Sequence, residues 1–127
     1  MKLDILAKKL QDDGVGIMGK TIFLGNMPPD APKAIILKDS PLGTPIDEEL
    51  PGYRRSRFHA AVRDESYELG RKLAERVSAS FTLKEKVLTG MDIRFIRPLI
   101  EPTGFPLADS NIFEFLVIFE AVYVIVE

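Results

Sequence analysis

The last stretch of the chain constrains its fold more than any other. From Ile112 to Ile125 every odd position (Phe113, Phe115, Val117, Phe119, Ala121, Tyr123 and Ile125) is apolar, and most even positions are apolar too. A strand with one wet face alternates apolar and polar residues, so a run like this one needs cover on both faces. At about 3.3 Å per residue it would reach roughly 45 Å, against a common strand length of about 17 to 20 Å. It is therefore expected to bend, break at a bulge or project past its domain, with part of it covered by a neighbouring copy. Glu114 and Glu120 interrupt the run, and it falls short of the roughly 20 apolar residues that a membrane-spanning helix needs.

The rest of the chain must supply the cover. With 127 residues, 46% of them hydrophobic and 28% charged, one domain spanning 1–127 with its own core is expected. A net charge of −2, from 17 basic against 19 acidic residues, gives no overall positive field to hold a phosphate backbone. The absence of Cys removes disulfides, thiolate nucleophiles and Cys-based metal sites, and fits folding in a reducing cytoplasm. The N-terminal MKLDILAKKLQDD mixes apolar and charged residues, so no secretory signal is read there.

Leu3, Leu6, Ala7 and Leu10 repeat at helical spacing up to Asp12-Asp13-Gly14, which marks a short amphipathic helix. Thr21–Leu24 and Ala34–Leu37 read as short strands. Ser40 to Gly52, with two glycines and three prolines, reads as a long loop of the kind that often carries function. Arg57 to Arg63 alternates, with Phe58, Ala60 and Val62 on one face and His59 on the other, and reads as a half-buried strand. Asp64 is the expected cap of a helix running to about Phe81, packed through Leu69, Leu73 and Val77 with Gly70 and Ala74 beside them. Met91–Ile96 reads as a strand stopped by Pro98, and Pro98 to Ser110 as a loop or hairpin excursion. The expected fold is α+β: a single mixed, mostly antiparallel sheet of about four to five strands, one long helix packed on it, and a short N-terminal helix.

Gly14-Val15-Gly16-Ile17-Met18-Gly19-Lys20-Thr21 matches the phosphate-loop pattern G-x-x-x-x-G-K-[ST] and also contains G-x-G-x-x-G. A working phosphate loop is fed by a strand and leaves into a helix, so that amides and the positive helix end point together at the phosphates. Here a helix comes first, and no helix of useful length can follow before Pro28 and Pro29. A nucleotide-binding module is kept only as the alternative of another class, and the expected role of the segment is a helix-to-strand turn.

His59 is the one histidine, and metal ligation by it would need carboxylates alone to complete the set. No G-x-S-x-G elbow accompanies it. Asp47, Glu48, Glu49, Glu114 and Glu120 suggest solvated loop and strand positions and no acid/base pair. No cofactor, metal site or catalytic set is expected, and the chain is read as a non-enzyme. Arg54, Arg55 and Arg57 around Tyr53 form a basic, aromatic cluster suited to phosphate, to an acidic partner surface, or to a solvated strand.

The Asn26-Met27-Pro28-Pro29-Asp30 turn, the Ala34–Asp39 strand, the Gly- and Pro-rich loop, and above all Phe58-His59-Ala60-Ala61-Val62-Arg63-Asp64-Glu65-Ser66-Tyr67-Glu68-Leu69-Gly70 resemble the tail terminator (tail completion) and minor capsid families of long-tailed bacteriophages. The likeness runs from about Leu3 to Phe81. It implies a virion protein of the tail neck, assembled in the host cytoplasm. Such a protein forms a homo-oligomeric ring, a hexamer, at the head-proximal end of the tail tube. There it ends tube polymerisation and offers a joining surface to head–tail connector proteins, while genomic DNA passes through the lumen without specific binding. A mildly negative net charge suits such a lumen. A head completion or connector subunit is the neighbouring alternative. On this resemblance Leu42, Tyr53, Arg54, Arg55 and Arg57 are expected to face partners, and Phe115, Val117, Phe119 and Tyr123 to lie in the core or at a subunit contact.

Overall fold

A computed structural model describes residues 1–25, 32–107 and 111–126. The elements in chain order are α1 (Leu3–Asp12), β1 (Ile22–Leu24), β2 (Ala34–Asp39), β3 (Tyr53–Asp64), α2 (Tyr67–Ser80), β4 (Leu83–Leu88), β5 (Met91–Pro98), β6 (Thr103–Pro106) and β7 (Phe113–Ile125). The sheet runs β1-β2-β3-β7-β5-β4, with β6 also paired to β7. β1 and β2 are parallel and every other pairing is antiparallel. The mixed, mostly antiparallel α+β class is as expected, but the sheet has seven strands, not four or five; the two helices that pack on it, the N-terminal α1 and α2, have 10 and 14 residues.

β7 is the spine. Along one edge it pairs without interruption with the 12-residue β3, from Tyr53↔Val124 to Asp64↔Phe113, and along the other it pairs first with β6 and then with β5. Its ladder groups are therefore satisfied on both edges, and of the expected alternatives (a bend, a bulge or projection past the domain) projection does not occur. The irregularity lies in a neighbour, between Ile93 and Phe95 of β5.

Odd residues of β7 face both helices. Phe115, Val117, Phe119 and Ala121 are fully buried with Phe58, Ala60 and Val62 of β3, under Leu73, Ala74 and Val77 from α2, Phe81 just past its end, and Leu6, Ala7 and Leu10 from α1. Phe58 stacks on Phe119 at 5.0 Å, and Phe81 meets both rings edge-on at 5.4 Å. Such aromatic pairs add roughly 0.5–1.5 kcal/mol to area burial. The Phe115 ring lies between two glycines, Gly70 of α2 and Gly104 of β6, both of which it would contact closely if they carried a Cβ.

α2 starts two residues later than expected. Asp64 still pairs with Phe113 as the last residue of β3. Ser66 caps the helix, its hydroxyl accepting from the Leu69 amide at 3.3 Å, while Asp64 Oδ1 accepts from the Ser66 amide at 2.9 Å. Leu69, assigned to the buried stripe from sequence, is exposed; the helix buries Gly70, Leu73, Ala74 and Val77 instead. Every-fourth spacing drifts by about 40° per step on a 3.6-residue helix, so the stripe passes from Leu73 to Gly70 and leaves Leu69 outside. Asp13, just past α1, accepts from Lys9 and from the Ser80 hydroxyl at the end of α2, and these bonds hold its carboxyl below the usual range.

Candidate assembly surface

Both helices cover the odd face of β7, so the even face has no helix over it. Strand register arranges this face as crosswise rungs. Arg63–Glu114 comes first, then Ala61–Leu116, His59–Ile118, Arg57–Glu120–Arg97 and Arg55–Val122–Phe95, and finally Tyr53–Val124–Asp92. Two rungs are ionic. Arg63 Nε donates to Glu114 Oε1 at 3.1 Å, and Arg97 donates through Nη2 and Nε to Glu120 Oε1 at 3.1 and 3.3 Å. Glu120 is nearly buried and Arg97 is largely exposed, so solvent screens the pair and its net contribution is modest. Between these rungs Leu116 and Ile118 stay half-buried, as does Val124 beyond the second. Apart from Phe113 and Ile125 at its two ends, the incompletely buried apolar residues of the last strand thus lie on one open sheet face, where apolar rows stand beside charged ones.

The structure separates the expected partner-facing residues into two groups. Phe115, Val117, Phe119 and Tyr123 are all buried against the protein's own helices and sheet and present no surface for a partner. Arg55 and Arg57 are exposed on the open face with Tyr53 half-buried beside them, and Leu42 stands out on the loop 40–52. Arg54 points to the other side. Its guanidinium donates to the carbonyls of Pro51 and Tyr53, which ties down the base of the loop.

Loop 40–52 is braced along the β3 edge that β2 leaves open. The Ser40 amide donates to the Arg57 carbonyl, Thr44 Oγ1 and Ser56 Oγ lie 2.7 Å apart, and Asp47 Oδ1 accepts from the amides of Glu49 and Leu50. Thr44 also hydrogen-bonds the Tyr123 phenol, whose pKa is raised mainly by burial. His59 sits on the open face between Lys38 and Ile118. Burial first and the Lys38 charge second lower its pKa, against an opposing effect of Glu114. Among the described residues no group of three His, Cys, Asp or Glu side chains is placed to hold a metal.

The Gly14–Thr21 segment follows α1 and leads into β1, the reverse of a phosphate loop. Seven of its eight amides are already engaged. Gly14 and Val15 donate to α1 carbonyls, Ile17 to Thr21 Oγ1, Met18 to Gln11 Oε1, Gly19 to the Ile22 carbonyl, and Lys20 and Thr21 to the Ile17 carbonyl. A turn that spends its N–H groups on itself offers no cradle for phosphate oxygens. Its glycines serve geometry: Gly14 and Gly19 have φ of +76° and +82°, and a Cβ on Gly16 would lie 2.8 Å from Thr21 Oγ1.

What sequence reasoning missed on the open face is the pairing of Glu120 with Arg97 and the place of Phe95. The signal was the apolar even positions of the last strand; their partners depend on long-range register. No helix among the described residues is long and apolar enough to cross a membrane.

Residues 9–125 match a family model described as "Bacteriophage tail terminator protein". No curated protein matches the chain significantly. Among solved structures, a chain of the "Virion of native gene transfer agent (GTA) particle" has a similar fold, with a TM-score of 0.72 at 14% identity, over 94% of this chain and 91% of that one.

Proposed function

This chain belongs to the bacteriophage tail terminator family, and on that premise we propose that it is a structural subunit that closes into a ring, a hexamer, at the head-proximal end of the tail tube. The ring ends tube polymerisation and presents the surface on which head–tail connector proteins dock, with genomic DNA passing through its lumen. It belongs to the neck of the virion. The observation that carries the proposal is the family match across 9–125, nearly the whole fold.

Two features of the molecule support it. The open sheet face supplies apolar rungs between ion pairs, a surface suited to protein contacts. The one motif that suggested nucleotide chemistry is a self-bonded turn. Leu42, Arg55 and Arg57 are the partner-facing members of the set read from sequence.

The test is a tube-capping assay. Purified chain added to polymerising tail-tube subunits stops elongation at substoichiometric amounts and leaves annular density on one tube end. Tubes that grow to the same lengths with bare ends, at any ratio of added chain, overturn the proposal.

A further inference from the structure

The four most exposed large apolar side chains among the described residues fall on two segments. Leu42, Ile46 and Leu50, at 95%, 68% and 59% exposure, lie on loop 40–52, and Val87, at 69%, lies on β4. These segments occupy opposite margins of the sheet. The loop runs along the β2 side of β3, whereas β4 is the outermost strand beyond β7 and β5. Exposed apolar side chains concentrated in this way mark contact sites.

The two margins also carry opposite charge. Asp47, Glu48 and Glu49 are the only charged residues of the loop, while β4 holds Lys84 and Lys86 against Glu85. Among the described residues neither Glu48, Glu49 nor Lys84 forms an ion pair. Lys84 and Val87 pair opposite Phe95 and Asp92, which puts both on the margin of the open sheet face. Lys86 acts on Asp13 beside α1. Edge-to-edge strand addition at β4 is hindered, because Glu85 has φ +49° and drops out of the pairing register. Contact at this margin therefore runs through side chains.

We propose that loop 40–52 of one copy docks on the β4 margin of the next, with Glu48 and Glu49 beside Lys84 and with Leu42, Ile46 and Leu50 over Val87. Two different surfaces joined in this way repeat head to tail, and such a contact closes into a ring when its rotation permits. The assignment rests on the ring reading above and names the surfaces that make it.

The test exploits the absence of Cys from the chain. A chain carrying both Leu42→Cys and Val87→Cys, treated with a short bismaleimide, is expected to give a ladder on a denaturing gel that ends at the oligomer number, while each single variant yields no ladder. In parallel, Glu48→Lys with Glu49→Lys, and separately Lys84→Glu, are each expected to raise the dissociation midpoint of the oligomer about tenfold or more, and their combination to restore it. An assembled wild type whose double-Cys variant gives no ladder, or whose charge reversals change nothing, overturns the loop–β4 contact and leaves the ring standing. A wild type that is a single copy at all concentrations overturns both.

Discussion

Gly70→Ala sets two physical effects of opposite sign against each other at one atom. Gly70 lies within α2, and replacing glycine by alanine in a helix gains about 1 kcal/mol of propensity. The added Cβ would stand 2.7 Å from Cε1 and 3.1 Å from Cδ1 of Phe115, and 3.2 Å from Cβ of Asp64. The ring cannot retreat, because its opposite edge packs on Gly104, where a Cβ would meet it closer still. Overpacking of this kind is destabilising by about 1–3 kcal/mol. The steric effect wins, and Gly70→Ala lowers stability by up to about 2 kcal/mol, or up to roughly 10 °C in Tm for a domain of this size. Gly104→Ala, with no helix propensity to gain, loses about 2–3 kcal/mol. Removing the ring reverses the sign. In a Phe115→Leu background Gly70→Ala becomes neutral or stabilising, a coupling of about 2 kcal/mol in a double-mutant cycle. Urea unfolding of the four chains measures this directly. A wild-type background in which Gly70→Ala raises the midpoint would refute the placement of Phe115 between α2 and β6.

Three further outcomes follow from other parts of the fold. Ser66→Ala removes the α2 cap and lowers stability by about 1 kcal/mol, whereas Ser66→Asp retains it; equal midpoints for Ser66→Ala and wild type in urea would contradict the cap. His59 has a folded-state pKa below its unfolded value of 6.5, so the unfolded chain binds the proton more readily. Stability is therefore full above about pH 6.5 and declines as the pH falls below it, and His59→Gln flattens that part of the curve; parallel curves for the two proteins would show that His59 does not titrate as described. Lys20→Ala leaves both stability and assembly unchanged, and wild type gives no saturable heat with ATP or GTP in calorimetry; tight binding abolished by Lys20→Ala would restore the phosphate-loop reading.

Much of this fold is legible in the sequence where one residue pattern answers to one local cause. The alternation through Phe58, Ala60 and Val62 gives β3, and the unbroken run to Phe81 gives α2. Edge strands escape the same reasoning. β4 is exposed at four of its six positions, with charges where a buried strand would carry apolar residues, so it shows no clean period. β6 contains Gly104 and Pro106, residues typical of loops, and becomes a strand only because β7 offers it an unpaired edge. The choice between Asp64 and Ser66 as cap depends on where β3 lets go of β7, which is a tertiary matter.

The candidate surface was legible in part. Apolar residues at both parities of the last strand indicated that two faces need cover, and the helices take one of them. Of the two places expected for Phe115, Val117, Phe119 and Tyr123, core or subunit contact, they take the core, and the even face with Arg55 and Arg57 stays open. The reversed order around Gly14–Thr21 was visible from residue types alone, because a helix period precedes it and two prolines follow.

The mass of the wild-type chain in native mass spectrometry across a concentration series, with negative-stain images of the same samples, tests the ring most directly. A closed ring gives one discrete multiple of 14.2 kDa, six copies, and annular particles of uniform size. A single 14.2 kDa species that persists to high concentration, with no annular particles, contradicts it.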